Sequence, residues 1–157
     1  MIVVVMGVSG SGKTEIGARL AARLGFEFIE GDDFHPPANV AKMAGGTPLG
    51  DEDRMPWLVA LNRALRERES AVLACSALKE SYREVLGHEV RKLVFVHLSG
   101  SFELIQSRLA RRKHRYMPAS LLASQFAALE PPRHAIEVDV SDSVEDCVDS
   151  IAARLGR

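Results

Sequence analysis

Gly7-Val8-Ser9-Gly10-Ser11-Gly12-Lys13-Thr14 fits the pattern G-x-x-x-x-G-K-[ST] and follows the apolar run Ile2 to Met6 without a spacer. That context reads as a phosphate cradle. The glycines let the backbone fold into a tight loop whose N–H groups point inward, and a helix beginning near Lys13 aims the positive end of its dipole at the same point. A triphosphate tail suits the shape. Gly7, Val8, Ser9, Gly10, Ser11, Gly12, Lys13 and Thr14 are therefore the expected nucleotide contacts. Lys13 reaches the β and γ phosphates as a mobile point charge, and the Thr14 hydroxyl is one ligand of a Mg2+ that keeps several waters. The alternative is a glycine-rich strand-to-helix turn with no ligand; the buried strand that the motif requires favours the phosphate reading.

Outward from this loop, 157 residues with 46% hydrophobic content suffice for one full core, and low-complexity runs are absent. The chain is expected to be a single domain over 1–157. Twenty basic against 21 acidic residues leave a formal charge of −1, which argues against nucleic acid or a membrane surface as the main partner. Cys75 and Cys147 are too few and too far apart for a disulfide framework or a metal cluster, and both read as reduced and structural. The apolar run Ile2 to Met6 is shorter than a signal-peptide core or a membrane span, so the expected location is cytoplasmic.

Short apolar runs mark strands at Ile2 to Met6, Phe26 to Glu30, Ala71 to Cys75, Leu93 to Leu98 and Ile136 to Val140. Between them, Ile16, Leu20 and Leu24 form the apolar stripe of a helix that stops at Gly25. Further helices are expected at Asp51 to Arg68, Lys79 to Leu86, Phe102 to Lys113, Ala119 to Leu129 and Val144 to Leu155. The alternation predicts an α/β fold, a five-stranded, mostly parallel sheet with helices on both faces and ligands at the carboxyl ends of the strands.

Functional candidates fall at those ends. Gly31-Asp32-Asp33-Phe34-His35-Pro36 follows the second strand and opens on the same edge as the phosphate loop. Asp32 can face the γ phosphate, orient an acceptor hydroxyl and take its proton. Asp33 suits turn chemistry, and for His35 a loop role and a substrate contact both remain open. The stretch Asn39 to Trp57 reads as a short helix, a turn and a new helix start capped by Asp51.

These residues, with Cys75-Ser76-Ala77-Leu78-Lys79-Glu80-Ser81-Tyr82-Arg83, closely resemble the gluconokinase family. The shared motifs are the phosphate loop, G-D-x-F-H-P, N-x-x-K-M, G-x-P-L-x-D-x-D-R-x-P-W-L and C-S-A-L-K-x-x-Y-R, with Ser124-Gln125-Phe126 and Leu129-Glu130-Pro131 further on. The resemblance spans nearly the whole chain. It implies a P-loop kinase fold with a mobile lid, transfer of the ATP γ-phosphoryl group to the 6-hydroxyl of D-gluconate, and a homodimer.

Gluconate carries a carboxylate far from its reacting hydroxyl, so its pocket needs fixed cations and several hydrogen-bonding groups. Arg54, Lys79 and Arg83 are the candidate cations, Lys79 and Arg83 being expected at i, i+4 on one helix face with Tyr82 beside them. Trp57 and Pro56 read as packing. The third strand ends in Cys75-Ser76 without an acid, so Mg2+ is expected to rest on Thr14, water and Asp32. The cluster Arg108, Arg111, Arg112, Lys113, His114 and Arg115 is the other active candidate: Arg108, Arg112 and Arg115 share a helical stripe if the helix runs that far. A lid over about 108–120 would bring Arg108 and Arg112 to the nucleotide and Arg112 to the transferring phosphoryl. Here the chain departs from the family, which reads G-H-F where this sequence has His114-Arg115-Tyr116.

Two other readings compete: a kinase acting on another small acceptor such as shikimate or a nucleotide, and a nucleotide-dependent switch or regulatory ATPase. The switch lacks its N-K-x-D and D-x-x-G signatures. Against other acceptors stands the match from Asn39 to Trp57.

Overall fold

In the computed structural model, which describes residues 1–111 and 119–157, strand β1 (Ile2–Met6) runs through the middle of the sheet with all of its residues buried. It is flanked by β2 (Glu27–Glu30), β3 (Ala71–Ala74), β4 (Leu93–Ser99) and β5 (Ala135–Asp139) in the order β2-β3-β1-β4-β5. Every pairing is parallel, so the mostly parallel expectation becomes fully parallel. Parallel neighbours need crossovers, supplied here by α1 (Lys13–Leu24), α2 (Pro37–Ala44), α3 (Asp51–Arg66), α4 (Glu80–Gly87), α5 (Phe102–Ala110) and α6 (Ala119–Ala128), while α7 (Val144–Arg154) follows β5.

A strand covered on both faces reads as a continuous apolar run, and β1 divides its side chains by the two-residue period. Ile2, Val4 and Met6 join Trp57, Leu58, Leu61 and Leu65 of α3 and Leu86 of α4 in one cluster. Val3 and Val5 join Ile16 and Leu20 of α1 and Val148 and Ile151 of α7 on the opposite face. A third cluster, Val8, Leu78, Ile105, Leu109 and Leu122, lies beyond the carboxyl edge and ties the phosphate loop to α5 and α6. Cys75 and Cys147 belong to opposite faces, both as free thiols, and burial pushes the Cys75 thiol up to about 12. Among the described residues no helix is long and apolar enough to cross a membrane.

Strand order reverses about β1, with β2 and β3 on one side and β4 and β5 on the other. Open parallel sheets part at such a switch point, which lies here where β1 runs into Gly7. Helix α1 ends as expected: Gly25, at φ +72°, donates its N–H to Ala21 and Ala22 carbonyls. Helix α3 starts differently from the expectation. Gly50, not Asp51, is its cap residue, and the Asp53 carboxylate accepts the Gly50 N–H at 2.9 Å, which leaves the Asp51 carboxylate for another task. Helix α5 ends at Ala110 rather than Lys113. The expectations for Arg112, Lys113, His114, Arg115, Tyr116 and Met117 lie outside the described residues.

Candidate active site

The loop after β1 is held from within and from outside. Gly12, the cap residue of α1, sits at φ +96°, which an L side chain rarely adopts. Lys13 Nζ donates to the Val8 carbonyl at 3.0 Å, and Thr14 Oγ1 donates to Glu30 Oε2 at 2.5 Å. Glu30 ends β2, and its second oxygen accepts the Asp32 N–H at 3.4 Å. Its part was not legible from the strand pattern; the available signal was an acid closing an otherwise apolar Phe28-Ile29 stretch. Thr14, Glu30 and Asp32 together offer hard oxygen donors. Among the described residues no group of three or more His, Cys, Asp or Glu side chains could hold a metal alone. Such a set fits Mg2+, which keeps waters and takes much of its shell from phosphates.

Asp32 stands in a 3-10 turn, Gly31–Phe34. A Cβ on Gly31 would lie 2.4 Å from the Ala74 carbonyl oxygen, so only glycine lets β2 leave the sheet this close to β3. Trp57 Nε1 donates to the Gly31 carbonyl at 2.7 Å and fixes the turn from below. The Trp57 ring is buried and stacks on His35, centroids 4.1 Å apart, so its work is packing as expected. Asn39 Nδ2 donates to the Asp53 carbonyl at 2.8 Å and lies 3.2 Å from His35 Nδ1. With the amide donating, Nδ1 accepts and the ring proton sits on Nε2, 3.9 Å from Asp32 Oδ1. Burial is the main cause holding His35 below its usual pKa, Asp32 opposing and Arg54 assisting. His35 is thus a neutral support behind Asp32, positioned by Asn39.

Two adjoining cavities share Arg54, Met43, Leu49, Leu121 and Gln125. One, of about 550 Å3, takes in Ser9, Gly10, Gly12, Lys13, Thr14, Asp32, His35 and Ser76. The other, of about 300 Å3, takes in Asp51, Lys79, Tyr82 and Ser124. Arg54, only 9% exposed, lies between them with its guanidinium 5.2 Å from the Tyr82 ring centre. Its Nε and Nη1 have no hydrogen-bond partner among the described residues. Buried donors are nearly always satisfied, so two unmet N–H groups on one cation mark a place for an anion. Lys79 and the Tyr82 hydroxyl both donate to Asp51 Oδ1, at 3.1 and 2.5 Å. Those contacts hold the Asp51 carboxyl below its usual pKa, Tyr82 being the larger cause, and they raise Lys79; burial first, then Asp51, raises the Tyr82 hydroxyl.

Arg83 does not join this group, contrary to the expected convergence with Lys79. Lys79 precedes α4 with extended backbone, so the i, i+4 rule for a shared helix face does not apply. Arg83 is buried and spends its guanidinium on the fold: Nη1 donates to the Ala77 carbonyl at 2.7 Å, Nη2 to the Glu130 carbonyl at 2.8 Å and Nε to Glu80 at 3.1 Å. Ala77 is left-handed at φ +45°, so this contact also braces a strained position between Ser76 and Lys79.

From α6, Gln125 meets the phosphate loop. Its Oε1 accepts the Ser9 N–H at 2.8 Å and its Nε2 donates to Ser9 Oγ at 3.2 Å. Arg108, half-buried on α5, acts electrostatically on Asp139 and Cys147, at the β5–α7 corner. Glu30, Asn39, Asp51, Ser124 and Gln125 are the site residues that sequence reasoning missed, although Asn39, Asp51, Ser124 and Gln125 all lie inside the quoted motifs.

The family model described as Shikimate kinase matches residues 9–146 of the chain. The gluconokinase of Gluconobacter oxydans is 54% identical over 133 residues, covering 82% of this chain and 75% of that protein. The thermosensitive gluconokinase of Escherichia coli is 43% identical over 162 residues, 96% of this chain and 87% of that protein. The crystal structure of a gluconokinase from Sinorhizobium meliloti superposes with a TM-score of 0.92 at 45% identity, covering 99% of this chain and 91% of that one.

Proposed function

Because the chain belongs to the gluconokinase family of P-loop kinases, we infer that it transfers the γ-phosphoryl group of ATP to gluconate, giving 6-phosphogluconate and ADP. The observation that carries this reading is Arg54, a buried cation with two unmet guanidinium nitrogens between the phosphate-loop cavity and a second cavity that also holds Asp51, Lys79 and Tyr82. A sugar acid and a triphosphate are both anionic, and a fixed cation at that junction can make charge-assisted hydrogen bonds to either.

The backbone from Gly7 to Thr14 and Lys13 take the phosphates, with Arg108 on the nucleotide side; Arg112, expected from the sequence to act on the transferred group, lies outside the described residues. Thr14, Glu30 and Asp32 would hold Mg2+ through oxygen and water. When bound, the ion neutralises charge developing on the β and γ phosphates. Asp32 orients the 6-hydroxyl and takes its proton as that oxygen bonds to the γ phosphorus and the bond to the β-phosphate oxygen breaks. Neutral His35 steadies Asp32. Arg54, Lys79 and Tyr82 bind the carboxylate end and its neighbouring hydroxyls; Arg83 serves by shaping the loop that carries Lys79. Residues 1–157 work as one kinase domain in the cytoplasm, as a homodimer for which the exposed Met55 and Val59, one turn apart on α3, offer an apolar contact.

The test is a panel of acceptors at saturating ATP: gluconate, glucose, shikimate and nucleoside monophosphates. Gluconate is expected to exceed the others in kcat/KM by at least about 10²-fold, because a neutral or misplaced acceptor leaves buried charge unpaired. Equal kcat/KM for gluconate and glucose would overturn the acceptor assignment.

A further inference from the structure

We propose that Gln125 couples the two cavities, its carboxamide competing with a phosphate oxygen for the N–H of Ser9. The inference rests on the phosphoryl-transfer reading above. Ser9 is the third residue of the phosphate loop, and the bidentate contact with Gln125, 2.8 and 3.2 Å, joins it to a residue 116 positions away. Backbone N–H groups are what such a loop offers to phosphate, and a charged oxygen makes the stronger hydrogen bond. A phosphate oxygen reaching the Ser9 N–H therefore displaces the neutral carboxamide.

What the displaced group can then do follows from its position. Gln125 lines both cavities, and Ser124 beside it lines the acceptor cavity. Helix α6 itself is anchored: Leu121 and Leu122 are buried, and Phe126 packs edge-on against Phe102 of α5, centroids 5.5 Å apart. The backbone can stay in place while the side chain turns about its own bonds. A carboxamide released on the wall of the acceptor cavity carries one acceptor and two donors, which suit a polyol rich in hydroxyls. Nucleotide at the loop thus improves the acceptor site, and by linkage the acceptor improves nucleotide binding by the same factor.

Calorimetric titration of the full chain with a non-hydrolysable ATP analogue and Mg2+, with gluconate, and with both, tests the coupling. Wild type is expected to bind gluconate several-fold more tightly when the analogue is saturating. Gln125→Ala removes the competitor, so the analogue alone is expected to bind about two- to tenfold more tightly, the worth of one neutral hydrogen bond, while the gluconate affinity no longer responds to it. Gln125→Glu keeps an acceptor on Ser9 and adds a charge that repels phosphate, so the analogue is expected to bind more weakly, by about tenfold or more. A purely structural role would weaken binding in both variants. Gln125→Met, close in volume, repeats the alanine test should Gln125→Ala fold poorly. Weaker analogue binding in Gln125→Ala and Gln125→Met, or coupling that either retains or that wild type lacks, overturns the proposal. Gluconate turnover is measured first on wild type: its absence overturns the acceptor assignment, while the titrations with analogue alone still decide the role of Gln125.

Discussion

Arg54→Met separates what the buried guanidinium does for substrate from what it costs the fold. Nε and Nη1 are the two groups without partners, so a bound anion can gain two charge-assisted hydrogen bonds there. At about 1.5 kcal/mol each, the low end for charged partners, the loss is about 3 kcal/mol, or roughly 150-fold in kcat/KM at 1.4 kcal/mol per decade. It should appear mainly in KM for gluconate if Arg54 holds ground state and transition state alike. Stability should move the other way. Two buried N–H groups left unmet cost about 1 kcal/mol each at the least, and methionine removes both without leaving a large void. Against that stands the contact over the Tyr82 ring, 5.2 Å to its centre, worth about 0.5–1 kcal/mol. The balance is about 1 kcal/mol in favour of methionine, which for a chain of this size raises Tm by about 2–4 °C. Steady-state ADP release at varied gluconate gives the first quantity and calorimetric melting the second. A variant with wild-type KM and kcat/KM for gluconate, or one that melts several degrees lower, would refute the reasoning.

Lys13→Ala should abolish turnover at saturating ATP with little change in melting, since Lys13 opens α1 and belongs to none of the core clusters; near-wild-type rates would contradict phosphoryl transfer at the phosphate loop. Asp32→Asn keeps shape but removes the proton acceptor, so kcat should fall by about 10²-fold or more while KM for ATP stays within a few-fold; lost ATP affinity with an unchanged rate would make Asp32 a nucleotide ligand. Arg83→Met should lower Tm by about 6–12 °C, taking about 3 kcal/mol for its unmet carbonyl partners, and should shift KM for gluconate far less than Arg54→Met does. A selective rise in gluconate KM at unchanged melting would return Arg83 to the pocket.

Local chemistry was legible and long-range pairing was not. The strands and helices followed from apolar periodicity, with ends displaced by one to a few residues, because frayed termini carry little of that signal. The phosphate loop was readable because its parts are consecutive. Asp32, Arg54, Lys79 and Tyr82 do meet around the two cavities, since the carboxyl ends of parallel strands share one edge. Arg83 was misplaced because a helix was assumed to begin at Lys79, one residue early. Asp51 reads as a helix cap from sequence because Asp favours that position, and only the folded loop shows Gly50 as the cap residue with Asp53 bonded to its N–H. Glu30, 16 residues from Thr14, and Gln125, 116 from Ser9, acquire their roles only when the sheet and α6 bring them to the loop.

The two remaining cations of the acceptor cavity differ in what holds them, and the difference assigns their tasks. Lys79 is already paired, and its partner Asp51 is largely exposed, so the pair is worth little and exchanges cheaply for an arriving carboxylate. Tyr82 shares the same carboxylate oxygen, which keeps its hydroxyl and the Lys79 ammonium side by side at the mouth. Such an arrangement orients a ligand without tightly opposing it. Arg54 is buried with Nε and Nη1 unmet, and a cation in that condition discriminates: an anion gives those nitrogens charge-assisted hydrogen bonds, and a neutral polyol gives weaker ones. On the function proposed, selectivity for a sugar acid is expected to rest on Arg54. Entry and orientation are expected to rest on Asp51, Lys79 and Tyr82, a division that a single pooled cluster of cations would not supply.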